Sequence, residues 1–353
     1  MTDLLPITHV LPLAAIRRER RLAMPGVILA RVNQKVQAQD VIGEADHSLR
    51  HILIDLARGL GVREKEVDRY LIREKGDRLE QGDIIAGPVG FARRTVRAPR
   101  DGRVASILDG QLLFEALGEP YRLRAGLPGT VVATDETRSV TIETSGALVQ
   151  AVWGNGRQDF GVMRVVCRDA ADRLQTDELV LSLRGAVIVA CICDHPAALH
   201  QAREMAVRGL VLSSMASDLI PLAQRMPYPI VLIEGFGEIP LSSPAFRLLS
   251  SNNGREAAVD ARPWRPYEDQ RPEVIIPLPT ARMADLPDEF VQLEPRVQVR
   301  VLRAPYQGAM GVIQDVMAQG MTYPSGVLAR SAKVDLEGFG LVTVPIANLE
   351  ALR

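Results

Sequence analysis

Ala186-Val187-Ile188-Val189-Ala190-Cys191-Ile192-Cys193 is an unbroken apolar run, and Gly209-Leu210-Val211-Leu212 and Pro229-Ile230-Val231-Leu232-Ile233 follow it at regular intervals. Runs this short and this apolar fit strands covered on both faces. The intervening text, Ala197 to Val207 and Leu219 to Met226, has helical spacing, Pro244 to Leu249 predicts a further helix, and Glu256 to Asp260 a fourth strand. Strands alternating with helices of about ten residues predict right-handed crossovers and a parallel sheet. This places a small parallel α/β domain over residues 161–290, closed by a linker or strap carrying Pro263, Pro266 and Pro272.

Outward from this centre the period changes to two. On the N-terminal side, residues 26–43, Gly76 to Ala86, Val96 to Gly110, Gly129 to Val132 and Ser139 to Gln150 alternate between turn residues, as short strands do. One stretch breaks the pattern: Leu49, Ile52, Leu53, Leu56, Ala57 and Leu60 fall at helical spacing and stop at Gly61, which predicts a helix over 49–60. A β-domain with a helical insertion is therefore expected over 26–160, behind an N-terminal extension of residues 1–25, with Gly154-Asn155-Gly156 as the loop onward.

The pair of segments Gly82-Asp83-Ile84-Ile85-Ala86 and Val96-Arg97-Ala98-Pro99-Arg100-Asp101-Gly102-Arg103-Val104 resembles the two halves of the biotinyl and lipoyl carrier family, over about residues 26–115. The resemblance implies a barrel-sandwich hybrid. In that family a lysine at the hairpin tip takes the cofactor, whereas this chain has Phe91-Ala92-Arg93-Arg94 there. An arginine stays protonated and does not form the amide linkage, so no cofactor is expected.

At the other end, Val299-Arg300-Val301, Pro305-Tyr306, Gly308, Gly311-Val312 and the closing Val344-Pro345 and Leu349-Glu350 resemble the KOW motif of an SH3-like barrel, as in NusG and several ribosomal proteins. Arg296-Val297 stands where that family usually has Gly-Asp, Ala304 replaces a glycine, and the turn after Ile313 is longer. The resemblance implies an SH3-like barrel over 291–353 that docks on a protein or RNA of the transcription or translation machinery. Arg303, Tyr306 and Gln307 are its contact residues, and Arg93 and Arg94 add a second, basic contact. The fold class is multi-domain, α/β plus all-β.

Composition narrows the function classes. The chain has 353 residues, with Lys plus Arg 42 against Asp plus Glu 43, so no overall field draws it to nucleic acid or anionic membrane. Aromatics at 4% argue against base stacking as the main grip. The apolar opening, Leu4 to Ile16, is interrupted by Pro6 and Pro12 and precedes its arginines, the reverse of a secretory signal. Three cysteines make no disulfide framework, and no window is apolar for long enough to span a bilayer, so a soluble protein of the reducing cytoplasm is expected.

Candidate chemistry is sparse, and no catalytic residue is assigned. Cys191 and Cys193, on one face of a strand near His195 and His200, have ligand-type atoms, but a C-x-C ending a buried strand is usually packing. His47 and His51, four apart on the expected helix, lack a third ligand. No metal site follows. Asp194, His195, Ser213 and Glu234 fall at the ends of the parallel strands, the edge where open α/β sheets take ligands. The leading expectation is a non-enzymatic binding or adaptor protein. The rivals are a small-molecule sensor or enzyme using that crevice, and a structural subunit of a homo-oligomer or larger assembly.

Overall fold

The computed structural model describes residues 4–263, 271–279, 286–288 and 290–352. The molecule is mostly β-structure in several sheets with few helices. No helix among the described residues is long and apolar enough to cross a membrane.

The longest sheet is organised by one strand, Ser139–Gln150. Along one edge it pairs antiparallel with Val10–Arg21, from Ser139 opposite Arg21 to Val149 opposite Val10. Along its other edge the partner changes: Gly129–Asp135 covers its first half and Glu273–Pro277 its second. The change falls at Gly146, where a Cβ would sit 2.3 Å from the Ile276 carbonyl oxygen, so glycine lets the incoming strand approach. Where an N-terminal extension is expected, Val10–Arg21 is instead a strand of this sheet, with Ala14 and Ile16 on one face in the core.

The expected parallel sheet is present. Gln158–Val165, Val187–Val189, Gly209–Met215 and Ile230–Phe236 are parallel and adjacent in chain order, with Pro196–Glu204 and Ile220–Ala223 in the crossovers. Two cores flank it, one holding Val187, Val189, Val211, Val231 and Leu249, the other Ile188, Leu199, Leu210, Leu212 and Tyr228. Each such aliphatic side chain contributes roughly 1.5–3 kcal/mol relative to exposure. Glu256–Asp260 forms as expected but runs antiparallel on Gln158–Val165, and Glu273–Pro277 continues the sheet to Ser139–Gln150. The sheet thus passes through the boundary expected at residue 160 without a break. Of the expected linker prolines, Pro263 and Pro272 lie beside this return, and Pro266 lies outside the described residues.

The Leu49–Leu60 helix is a correction. Ser48–Asp55 is a strand paired with Gln111–Leu117, and only Leu56–Leu60 is helical, capped by Asp55 and ended by Gly61 at φ 73°. In the strand Ile52 and Ile54 turn inward while Leu49 and Leu53 stay exposed, so the apparent helical stripe is a period-two face with two exposed leucines added. Around it the N-terminal β-structure has two cores, one about Ile16, Ile42, Leu127 and Ile142, the other about Leu56, Ile85, Leu112 and Phe114.

At the C-terminal end, Gln298–Val301, Met310–Val316, Ser331–Leu336 and Gly340–Pro345 pair antiparallel in succession, and Leu349–Leu352 returns to Gln298–Val301. Leu4–Thr8 joins this sheet, parallel to Leu349–Leu352. Val299, Val301, Ile313, Val334, Val344 and Leu349 form its core, with Leu5 and Ile7 contributed from the N-terminus.

Candidate functional site

The ends of the parallel strands are covered by the chain itself. Gly237 donates its backbone N–H to the Met215 carbonyl, Ile239 N–H to Ser214 Oγ, and Leu241 N–H to the Ala170 carbonyl. The loop Tyr306–Gly308 lies over this segment, since a Cβ at Gly308 would come within 2.8 Å of Ile239 Cγ2. Ser213 is fully buried. Glu234 accepts the Ser242 N–H at 2.9 Å and pairs with Arg300 of the C-terminal sheet. Asp194 pairs with Arg173, which also reaches Glu238 at 2.7 Å, and the His195 side chain is 73% exposed. The four residues therefore do not share one open crevice: two are sealed beneath the barrel loop and two stand outside it.

Sequence reasoning missed the polar cluster that seals them. Arg300, 2% exposed, pairs with Glu234 and donates from Nε to Glu350 Oε1 at 2.6 Å. Thr8 Oγ1 donates to Glu350 Oε2 at 2.7 Å, and Arg271 Nη1 donates to Thr8 Oγ1 at 2.5 Å and lies 3.5 Å from Glu350. Burial opposes the charge of Arg300, yet the two carboxylates outweigh it and hold its pKa above the usual guanidinium value. The cluster ties the N-terminal strand, the parallel sheet and the C-terminal sheet together. A signal for it was present: Arg300 and Glu350 interrupt the otherwise apolar strands Val299-Arg300-Val301 and Leu349-Glu350-Ala351.

The expected contact residues divide. Tyr306 is half-buried and packs edge-on against Phe339, ring centroids 5.3 Å apart, so it is anchored in the barrel, with exposed Arg303 and Gln307 beside it. Phe339 is 58% exposed and Leu341 62%, which leaves an apolar ridge on this side. Arg93 and Arg94 stand at the tip of the Ile84–Val89 and Arg94–Arg97 hairpin, beside wholly exposed Phe91, in a different sheet and core. The Arg94 guanidinium lies over Gly61, at the end of the Leu56–Leu60 helix.

The discounted metal candidates fall apart for stated reasons. Cys191 packs with Val187 and Val189, whereas Cys193 packs on the other side of the sheet with Ile188 and Ala190. The strand is interrupted at Ala190–Cys191, between Val187–Val189 and Ile192–Cys193, and this switches the side-chain alternation. Burial pushes the Cys193 thiol up to about 11, further from a ligating thiolate. His47 and His51 are four residues apart along extended chain, about 13 Å, too far to share an ion. No group of three or more ligating side chains occurs among the described residues.

Concavities lie elsewhere among the described residues. One, of about 920 Å³, is lined by Glu44, Asp46, Arg78, Glu80, Asp83 and Asp101. Another, of about 360 Å³, lies where Val10–Arg21 ends. No protein-family description and no curated protein matches the sequence.

Proposed function

We propose that the chain is a non-enzymatic docking protein whose C-terminal barrel, similar to an SH3-like KOW barrel, presents its contact face around Arg303, Tyr306, Phe339 and Leu341. The observation that carries this is the exposure of Phe339 and Leu341, with Phe339 held edge-on by Tyr306, whose loop packs on Ile239. A rigidly held, partly aromatic ridge with an arginine at its rim has the make-up of a protein-contact hot spot. One arginine among apolar residues is poor equipment for a phosphate backbone, so the partner in this reading is a protein and not RNA. The order of the five antiparallel strands, the last returning to the first, supports the barrel likeness. The hairpin tip at Phe91–Arg94, between two short β-halves, supports a carrier-like scaffold that holds no attached group. Three free cysteines suit a reducing compartment, and the cytoplasm is part of this reading.

The test compares wild type with Leu341→Glu by quantitative affinity capture from lysate, each with and without nuclease. Loss of the same nuclease-resistant protein partners in the variant, at unchanged melting temperature, is the expected result. Partners that survive Leu341→Glu, or that vanish with nuclease, would overturn the protein-docking reading.

A further inference from the structure

The concavity of about 360 Å³ is lined by Glu19, Arg20 and Arg21 at the end of Val10–Arg21, by Tyr121 and Leu123, by Gly156 and Gln158, and by Arg262. Its volume is at the small end of ligand sites. At its base Arg20 is 5% exposed. Arg20 Nε donates to the Ala125 carbonyl at 2.9 Å, and Nη1 donates to Gln158 Oε1 and Asp260 Oδ2, both at 3.0 Å. Nη2 meets no acceptor among the described residues and lies against Gly126, φ 72°, where a Cβ would stand 2.9 Å away.

Asp260, the carboxylate that faces Arg20, is already heavily used. Its oxygens accept from Arg20, from Gln158 Nε2 at 2.9 Å, and from the backbone N–H and Nε of Arg262. Burial is the largest influence on Arg20 and lowers its pKa; Asp260 and Glu273 offset this in part, and Arg262 adds to it. A buried guanidinium with one free nitrogen and a shared counter-ion gains from a further anion. Arg21 stands exposed at the rim, and Glu19 is the opposing charge among the lining residues. Tyr121 and Leu123 add an apolar wall.

We propose that this concavity binds a small organic phosphate, its phosphate oxygens on Arg20 Nη2 and Arg21 and its organic part against Tyr121 and Leu123. Phosphate is favoured over carboxylate because three guanidiniums, those of Arg20, Arg21 and Arg262, line the concavity against the one carboxylate of Glu19, which suits a more highly charged anion. The site is independent of the docking ridge, and neither stands or falls with the other.

The experiment is calorimetric titration of the full chain with inorganic phosphate, phenyl phosphate and benzoate, at ionic strength matched with chloride. Phenyl phosphate should bind more tightly than inorganic phosphate, and benzoate least. Arg21→Ala should weaken phenyl phosphate about tenfold or more, and Glu19→Gln should tighten it, at unchanged melting temperature in the absence of ligand. Tyr121→Ala should reduce the preference for the ester over inorganic phosphate. Absence of millimolar binding by the folded wild type, binding indifferent to Arg21→Ala, or benzoate equal to phenyl phosphate would each overturn the proposal.

Discussion

Arg300 and Arg20 are both buried arginines on β-strands, and they are neutralised in opposite ways. Arg300 meets two carboxylates, Glu234 and Glu350, and its charge is reinforced. Arg20 meets one carboxylate, which Arg262 also uses, and its charge is weakened. A guanidinium enclosed by its counter-ions is a fastening. One that shares them retains binding capacity, and beside Arg20 there is a concavity.

The largest expected effect tests the fastening. Arg300→Met leaves Glu234 and Glu350 buried without their main cation, and a loss of about 3–5 kcal/mol in urea unfolding is expected. Replacing Arg300, Glu234 and Glu350 together with apolar residues should recover much of that loss, since the penalty comes from the stranded charges. Arg20→Met should cost less, about 1–3 kcal/mol, because Asp260 keeps Gln158 and Arg262. Equal losses at the two positions would erase the distinction.

Acid titration sharpens it further. Burial is the largest influence on Asp260 and favours its neutral form, but Arg20 and Arg262 together outweigh it and hold the carboxyl below its ordinary value. With the folded-state pKa depressed, the contribution of Asp260 is complete above about pH 4 and is lost as pH falls through the depressed value. The urea midpoint should therefore drop below about pH 4, and Asp260→Asn should flatten that part of the curve. The smallest effect is expected at the ridge, where Leu341→Glu should change stability by no more than about 0.5 kcal/mol while removing partner binding.

What the sequence made legible follows from where each signal resides. The parallel strands were readable because Val187 to Val189, Gly209 to Leu212 and Ile230 to Ile233 are apolar on both faces, a local property. The segment Leu49 to Leu60 misled because exposed Leu49 and Leu53 fill out a helical stripe, and only pairing with Gln111–Leu117 decides which leucines face inward. Glu234 read as a ligand residue because a carboxylate at a strand end looks available, and its partner is 66 residues away in another sheet. Arg18 and Arg20 gave a usable hint, since they continue the buried face of Ala14 and Ile16; Arg18 meets Glu273 at 2.6 Å and Arg20 meets Asp260. The concavity beside Arg20 was not readable, because Tyr121, Gly156 and Arg262 converge there only after two sheets have assembled.

The pairing of Leu4–Thr8 with Leu349–Leu352 sets a schedule for biosynthesis. Thr8 and Glu350 are 342 residues apart, so the earlier strand waits for one made 342 residues later. At common translation rates that interval is on the order of 20–70 s. Throughout it Leu4–Thr8 is an apolar edge without its final neighbour, next to Val10–Arg21, which has its own partner as soon as residue 150 emerges. The strands of the central sheet are thus all made before those of the barrel other than Leu4–Thr8. Over that interval one sticky strand needs shelter, by a chaperone or by transient pairing with Phe290–Gln292 once that segment appears.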